Sequence, residues 1–286
     1  MVHKVTKILY VCTLFLIISC SKNDSTTENP VVEATYLLDE NYGNDSKQQY
    51  DIYLPQGRTI DTPVVILVHG GFWSGGDKSD MNLLVTLLRN SWSDYAIVNT
   101  NYRLTTANTN KHPTQINDLS SLISELGSRK NSYQISEKYF FIGISAGGHL
   151  SLLYTYQYDT DHKVKAVCSI VGPTDFLDEA YTDTINEEFL GIAAQFFGDT
   201  FTNNPDLYKN ASPITHTDAS DAPTILFYGG KDNLIPVSQP ERLKDRLDAL
   251  NVPVSYTLYP ESGHDLMGAD FVDISTKIKL FFNSYN

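Results

Sequence analysis

The chain predicts an α/β domain: a doubly wound, mostly parallel eight-stranded sheet with helices on both faces and a small cap insertion. Three observations lead there. Strand-like and helix-like patterns alternate from about residue 31 to the C-terminus. The middle strands are continuously apolar, as parallel strands buried on both faces are. Residues 140–150 run from an apolar stretch through a G-x-S-x-G pentapeptide into an amphipathic helix.

In chain order, strands are expected at 31–37, 49–54, 64–68, 96–101, 138–142, 164–171, 224–228 and 255–259. Helical periodicities fall between them at 81–88, 115–126, 146–156, 238–250 and 270–281. Asn41-Tyr42-Gly43-Asn44-Asp45 joins the first two strands as an antiparallel hairpin on the sheet edge. The segment 173–216 breaks the rhythm with two weak helical stretches and several phenylalanines, and is expected as a cap-like insertion. Residues 31–286 are taken as one domain, because the residues proposed for chemistry run from Ser145 to His264 and any division would separate them.

Before that domain, Lys4 and Lys7 precede a short apolar core at residues 8–18, too short to span a bilayer comfortably. Residues 1–19 are therefore expected as a cleaved export signal. Ile17-Ile18-Ser19-Cys20 resembles a bacterial lipobox, which implies lipidation at Cys20 and a polar tether over 20–30. The expected setting is outside the cytoplasm, anchored to a bacterial membrane at the periplasm or cell surface. Two lysines and no acid leave with the signal, moving the formal charge from −13 to −15. So acidic a chain repels nucleic acid, which is excluded as a partner. Cys168, in an apolar strand, is expected to pack rather than react.

The G-x-S-x-G pentapeptide centres on Ser145. Small residues on either side permit the sharp turn that exposes a serine hydroxyl and leaves the Ala146 N–H free for an oxyanion. A serine needs a base, the base needs an orienting group, and the tetrahedral intermediate needs N–H donors. His264 follows a strand and a glycine-containing turn, which suits an exposed imidazole. Asp232 follows a strand ending in Gly229-Gly230, while Asp175 also stands after a strand and remains the alternative acid. The order serine, aspartate, histidine then matches one known arrangement of such triads. His69-Gly70-Gly71-Phe72-Trp73 follows an apolar strand, and its paired glycines let backbone N–H groups turn inward. Among the other histidines, His149 is expected to cap or pack and His112 to be solvated.

With these residues the chain resembles α/β-hydrolase carboxylesterases of the hormone-sensitive-lipase-like and feruloyl/acetyl-xylan-esterase-like groups. The similarity includes His69 to Trp73, Gly75-Gly76-Asp77-Lys78, Asn101-Tyr102-Arg103-Leu104 and the Ser145 pentapeptide. It implies Ser145 as nucleophile, Asp232 as orienter and His264 as base, with oxyanion N–H groups from Gly71, Phe72 and Ala146. Arg103 and Asp118 resemble a structural pair. Trp73 and Phe176 are candidates for an aromatic-accepting pocket, though aromatics in a cap also simply pack.

Phe72 stands where such esterases usually carry a third glycine, and the resulting H-G-G-x-W form also looks like the kynurenine formamidases. Hydrolysis of a small amide therefore stays open beside hydrolysis of small acyl or sugar-linked (acetyl or feruloyl) esters. A non-catalytic carbohydrate-binding surface lipoprotein would explain the anchor, but not the retained serine and histidine. No metal or organic cofactor is expected, and the partners are a small-molecule or glycan ester and a bilayer reached through Cys20.

Overall fold

The computed structural model describes residues 32–182, 187–266 and 268–286. The expected export signal, tether and lipidation site at Cys20 lie outside those residues. The strands are β1 (Thr35–Asn41), β2 (Gln49–Leu54), β3 (Val64–Val68), β4 (Ala96–Thr100), β5 (Tyr139–Ile144), β6 (Val164–Ile170), β7 (Thr224–Gly229) and β8 (Val254–Tyr259). They form one sheet in the order β1-β2-β4-β3-β5-β6-β7-β8. The β1–β2 and β2–β4 pairs are antiparallel and the rest parallel.

Seven strands lie within a few residues of their expected places, and the first is displaced. Polar Glu40 and Asn41 look like turn residues, yet they pair with Tyr50 and Gln49. A bulge between Leu37 and Glu40, with Asp39 at φ 55°, lets the strand continue to that pairing, so the hairpin turn begins at Tyr42.

The helices α1 (Asn82–Ser91), α2 (Thr114–Tyr133), α3 (Ala146–Leu153), α7 (Ser238–Ala249) and α8 (Ala269–Asn283) cover both faces, while α4 (Glu179–Thr182), α5 (Glu187–Phe197) and α6 (Pro205–Asn210) belong to the segment between β6 and β7. Alternate residues of β3 show the two-sided burial. Val64, Ile66 and Val68 join a core with Leu119 of α2, Leu150 of α3 and Leu247 of α7. Val65 and Leu67 join another with Leu84 of α1 and Ile274 of α8. Continuous burial of β3, β4 and β7 is thus explained by cover on each side, and β3 is apolar throughout. Cys168 is fully buried in β6, and burial pushes its thiol well above the usual range, so packing accounts for it.

Candidate active site

Ser145 stands between the end of β5 and the first residue of α3, at φ 53° and ψ −118°. Such a backbone conformation costs a non-glycine residue about 1–3 kcal/mol and persists only when its surroundings hold it. The flanking glycines make the turn possible. A Cβ on Gly143 would lie 2.1 Å from the Gly147 carbonyl oxygen, and one on Gly147 would lie 2.1 Å from that of Val68. The Ser145 N–H donates to Ile170 O at 2.8 Å, and its carbonyl accepts from His149 N–H at 3.0 Å.

Two loops meet this elbow from the far strands. Gly229 and Gly230 close β7 because the turn after β8 presses on them: added Cβ atoms would sit 2.2 Å from Gly263 O and 2.7 Å from Pro260 O. The Gly230 N–H to Tyr259 O and Lys231 N–H to Ser262 O bonds (2.8 and 2.9 Å) join the loops. In that arrangement Asp232 Oδ2 accepts from His264 Nδ1 at 2.8 Å, and His264 Nε2 lies 2.9 Å from Ser145 Oγ. The other carboxylate oxygen accepts from Leu234 N–H and Ile235 N–H at 2.8 and 2.9 Å. With Nδ1 donating to a fixed carboxylate, the lone pair of Nε2 faces the serine hydroxyl. The Asp232 side chain is fully buried and that of His264 is 21% exposed, so the imidazole faces outward while the carboxylate is sealed.

Asp175, the alternative acid, is committed elsewhere. Its carboxylate meets Arg242 at 2.7 Å and accepts from Leu177 N–H at 2.9 Å, beside Gln239 of α7.

The 69–73 loop runs beside Ser145. A Cβ on Gly70 would approach Ile144 O to 3.1 Å and Ser145 Cβ to 3.3 Å. Gly71 (φ 106°), Phe72 (φ 54°) and Trp73 (φ 59°) all have positive φ. Only glycine fits at Gly71, where a Cβ would strike Gly75 O at 2.3 Å. Phe72 adopts the left-handed conformation despite its side chain, at about 1–2 kcal/mol. Behind the loop His69 stacks on Tyr102 with ring centres 4.3 Å apart, and the Tyr102 hydroxyl donates to His69 O at 3.0 Å. His69 thus braces the loop. The N–H groups of Gly71, Phe72 and Ala146 donate to no backbone acceptor outside helices and strands among the described residues.

Trp73 and Phe176 do not face a ligand: their side chains are 1% and 2% exposed. The Trp73 ring stacks on Phe196 at 4.4 Å and its Nε1–H donates to His149 Nδ1 at 3.1 Å. Phe176 packs edge-on against Phe197 at 5.1 Å. These rings fasten the segment between β6 and β7 to α3 and the glycine loop, which corrects their expected role in substrate binding. His112 is corrected too. It packs 5.4 Å from the Phe196 ring, and burial together with nearby His216 lowers its pKa to about 4.

Sequence reasoning also missed how the glycine loop is anchored. Asp77 accepts from Asn101 Nδ2 and Lys47 Nζ (2.9 and 3.1 Å), while Lys78 reaches Asp51 and Asp39 at 2.5 and 2.8 Å. These bonds tie residues after the loop to β2 and to the end of β4. The acidic and basic letters are visible in the sequence, but their partners depend on sheet order. Arg103 and Asp118 do form the expected structural pair, at 2.6 Å.

His149 supplies a pH-dependent test of the packing around the elbow. It is fully buried, its Nε2–H donates to Ala211 O at 2.8 Å, and burial lowers its pKa to about 3. Below the unfolded value of about 6.5 the unfolded chain binds the extra proton and the folded chain does not, so stability falls as pH drops from there toward 3. At pH 4 this one group is expected to remove about 3 kcal/mol relative to pH 7. Urea melts at both pH values check it; the pH 4 to 7 difference should shrink markedly in His149→Gln, and an unchanged difference would assign the effect to other groups.

A serine at a strand-to-helix elbow, hydrogen-bonded to a histidine that in turn bonds an aspartate, both from later strand ends on this sheet, makes the protein an α/β-hydrolase. The chain belongs to the BD-FAE family, whose model matches residues 50–247. Esterase LipC of Mycobacterium tuberculosis is 29% identical over 261 residues, covering 85% of this chain and 63% of that protein. A kynurenine formamidase of Danio rerio is 25% identical over 173 residues, 57% of this chain and 54% of its own. The truncated form of a carbohydrate esterase from gut microbiota has the same fold, with a TM-score of 0.72 at 21% identity over 87% of this chain and 96% of that one. The chain spans 63% of the length of LipC and 51% of that of the carboxylic ester hydrolase LipM of the same organism.

Proposed function

We propose that this protein is a serine carboxylesterase acting on small acyl or sugar-linked esters, the latter acetyl or feruloyl, through an acyl-enzyme on Ser145. The observation that carries the reading is the continuous row from Asp232 Oδ2 to His264 Nδ1 at 2.8 Å and from His264 Nε2 to Ser145 Oγ at 2.9 Å. Ser145 Oγ attacks the ester carbonyl as His264 Nε2 takes its proton, and Asp232 stabilises the imidazolium. The carbonyl oxygen becomes an oxyanion held by the N–H groups of Gly71, Phe72 and Ala146. On collapse, His264 returns the proton to the departing alcohol oxygen. Water, deprotonated by the same imidazole, then attacks the acyl-serine and releases the acid. Family membership and the named esterase relatives support ester hydrolysis.

The rival is hydrolysis of a small amide, favoured by the H-G-G-x-W form and by similarity to the kynurenine formamidases. The proposed location is extracytoplasmic, with the lipidated Cys20 as anchor; the lipobox-like residues support it. The functional test is a side-by-side screen of p-nitrophenyl acetate, longer acyl esters, acetylated xylan, methyl ferulate and N-formylkynurenine, with active sites counted by a phosphonate label. Ester turnover with one label per chain at Ser145 is expected. Turnover of the formamide alone would select the rival, and neither turnover nor labelling would make the fold a binding module.

A further inference from the structure

An open recess of about 250 Å³ lies beside His264, on the face of the sheet opposite the buried aromatic cluster of Trp73 and Phe176. Met81, Leu83, Leu84, Leu266 and Phe271 give it an apolar lining, and Ile144, the residue before Ser145, forms part of its wall. Ile170 and the exposed Asp80 and Asp265 complete it. Its size falls just short of the ~300–1,000 Å³ common for drug-sized ligands, so it suits one or two rings. Leu83 is 56% exposed, apolar surface that a ligand seated there would cover.

Resting on the esterase reading above, we propose that this recess holds the alcohol portion of the ester and selects uncharged, ring-bearing apolar alcohols. The chemistry decides which part of the substrate belongs there. His264 Nε2 must protonate the departing oxygen, so the alcohol is the substituent that has to lie against the imidazole. The oxyanion is drawn instead to Gly71, Phe72 and Ala146, and among the described residues none of 69–73 lines the recess. An aromatic alcohol entering beside His264 meets Met81, Leu84, Leu266 and Phe271. The carboxylates of Asp80 and Asp265 disfavour an anionic alcohol. Of the two ester classes considered above, the recess favours small acyl esters of apolar alcohols over sugar-linked ones.

The test varies alcohol and acyl group separately. Leu83→Asp changes an exposed helix position, leaves the core intact and places a charge in the recess. Expected is a loss of about 10-fold in kcat/KM for 2-naphthyl acetate relative to methyl acetate, with the ratio of methyl butyrate to methyl acetate unchanged. A shift in the acyl ratio instead, or in neither, overturns the proposal. Wild-type turnover that disappears in Ser145→Ala reports separately on the esterase reading. Should that reading fail, equilibrium binding of 2-naphthol to the Ser145→Ala protein, followed by the ligand's fluorescence, still decides the recess. Binding weakened about 10-fold by adding Leu83→Asp supports it, and absent or undiminished binding overturns it.

Discussion

Replacing Ser145 with alanine is expected to lower kcat for p-nitrophenyl acetate by about 10⁶-fold, leaving a folded protein. The size of the loss follows from the proposed mechanism. Without the hydroxyl there is no acyl-enzyme, and the imidazole at 2.9 Å has no proton to take. What remains is binding and whatever the N–H groups of Gly71, Phe72 and Ala146 do for attack by water, a residue of catalysis about 10³–10⁴ above the uncatalysed rate. Removing His264 should cost nearly as much, because the two act as one unit and their separate losses do not add. Alanine at 145 also relieves little strain, since it meets the same positive φ, so melting temperature should move by only a few degrees. The measurement is kcat beside a thermal melt. A variant keeping more than a few per cent of turnover would transfer the chemistry to another group.

The meeting of Ser145, His264 and Asp232 was legible because each occupies a position where sequence and backbone constrain one another. Ser145 is bracketed by glycines whose replacement would drive a Cβ to 2.1 Å from a carbonyl oxygen, so the pentapeptide is a packing requirement written into sequence. Gly229, Gly230 and Gly263 mark the contact that carries Asp232 to His264. The sheet was legible for a related reason: strands buried on both faces, such as β3, carry long apolar runs that mark them out. What escaped the reading was side-chain partnership across long separations. Trp73 is an aromatic next to a glycine loop whether it meets a substrate or, as here, stacks on Phe196. His112 sits in a polar stretch of sequence, yet residues 84 and 85 positions later fold over it as Phe196 and Phe197. The recess beside His264 joins the start of α1 to the loop after β8, segments that no local pattern connects.

The choice between two strand-end acids leads to a second large effect. Asp232→Asn is expected to lower kcat by about 10⁴-fold near pH 7, while Asp175→Asn stays within a few-fold of wild type. In the native arrangement Oδ1 of Asp232 takes two backbone N–H donors, from Leu234 and Ile235, and Oδ2 takes His264 Nδ1. An asparagine keeps its carbonyl oxygen on the two N–H groups, because turning the amide over would set its NH₂ against both. The NH₂ then faces Nδ1, which must accept rather than donate. The proton moves to Nε2, where an N–H confronts the Ser145 oxygen and no lone pair is left to receive the hydroxyl proton. Geometry survives and the tautomer is wrong. Asp175 has no such connection: its carboxylate is spent on Arg242 and on Leu177 N–H, so its loss should show in the thermal melt more than in kcat. Paired measurements of kcat and melting temperature separate the two. Comparable kcat losses in both variants, or a loss below 10-fold in Asp232→Asn, would mean that the imidazole draws its orientation from elsewhere.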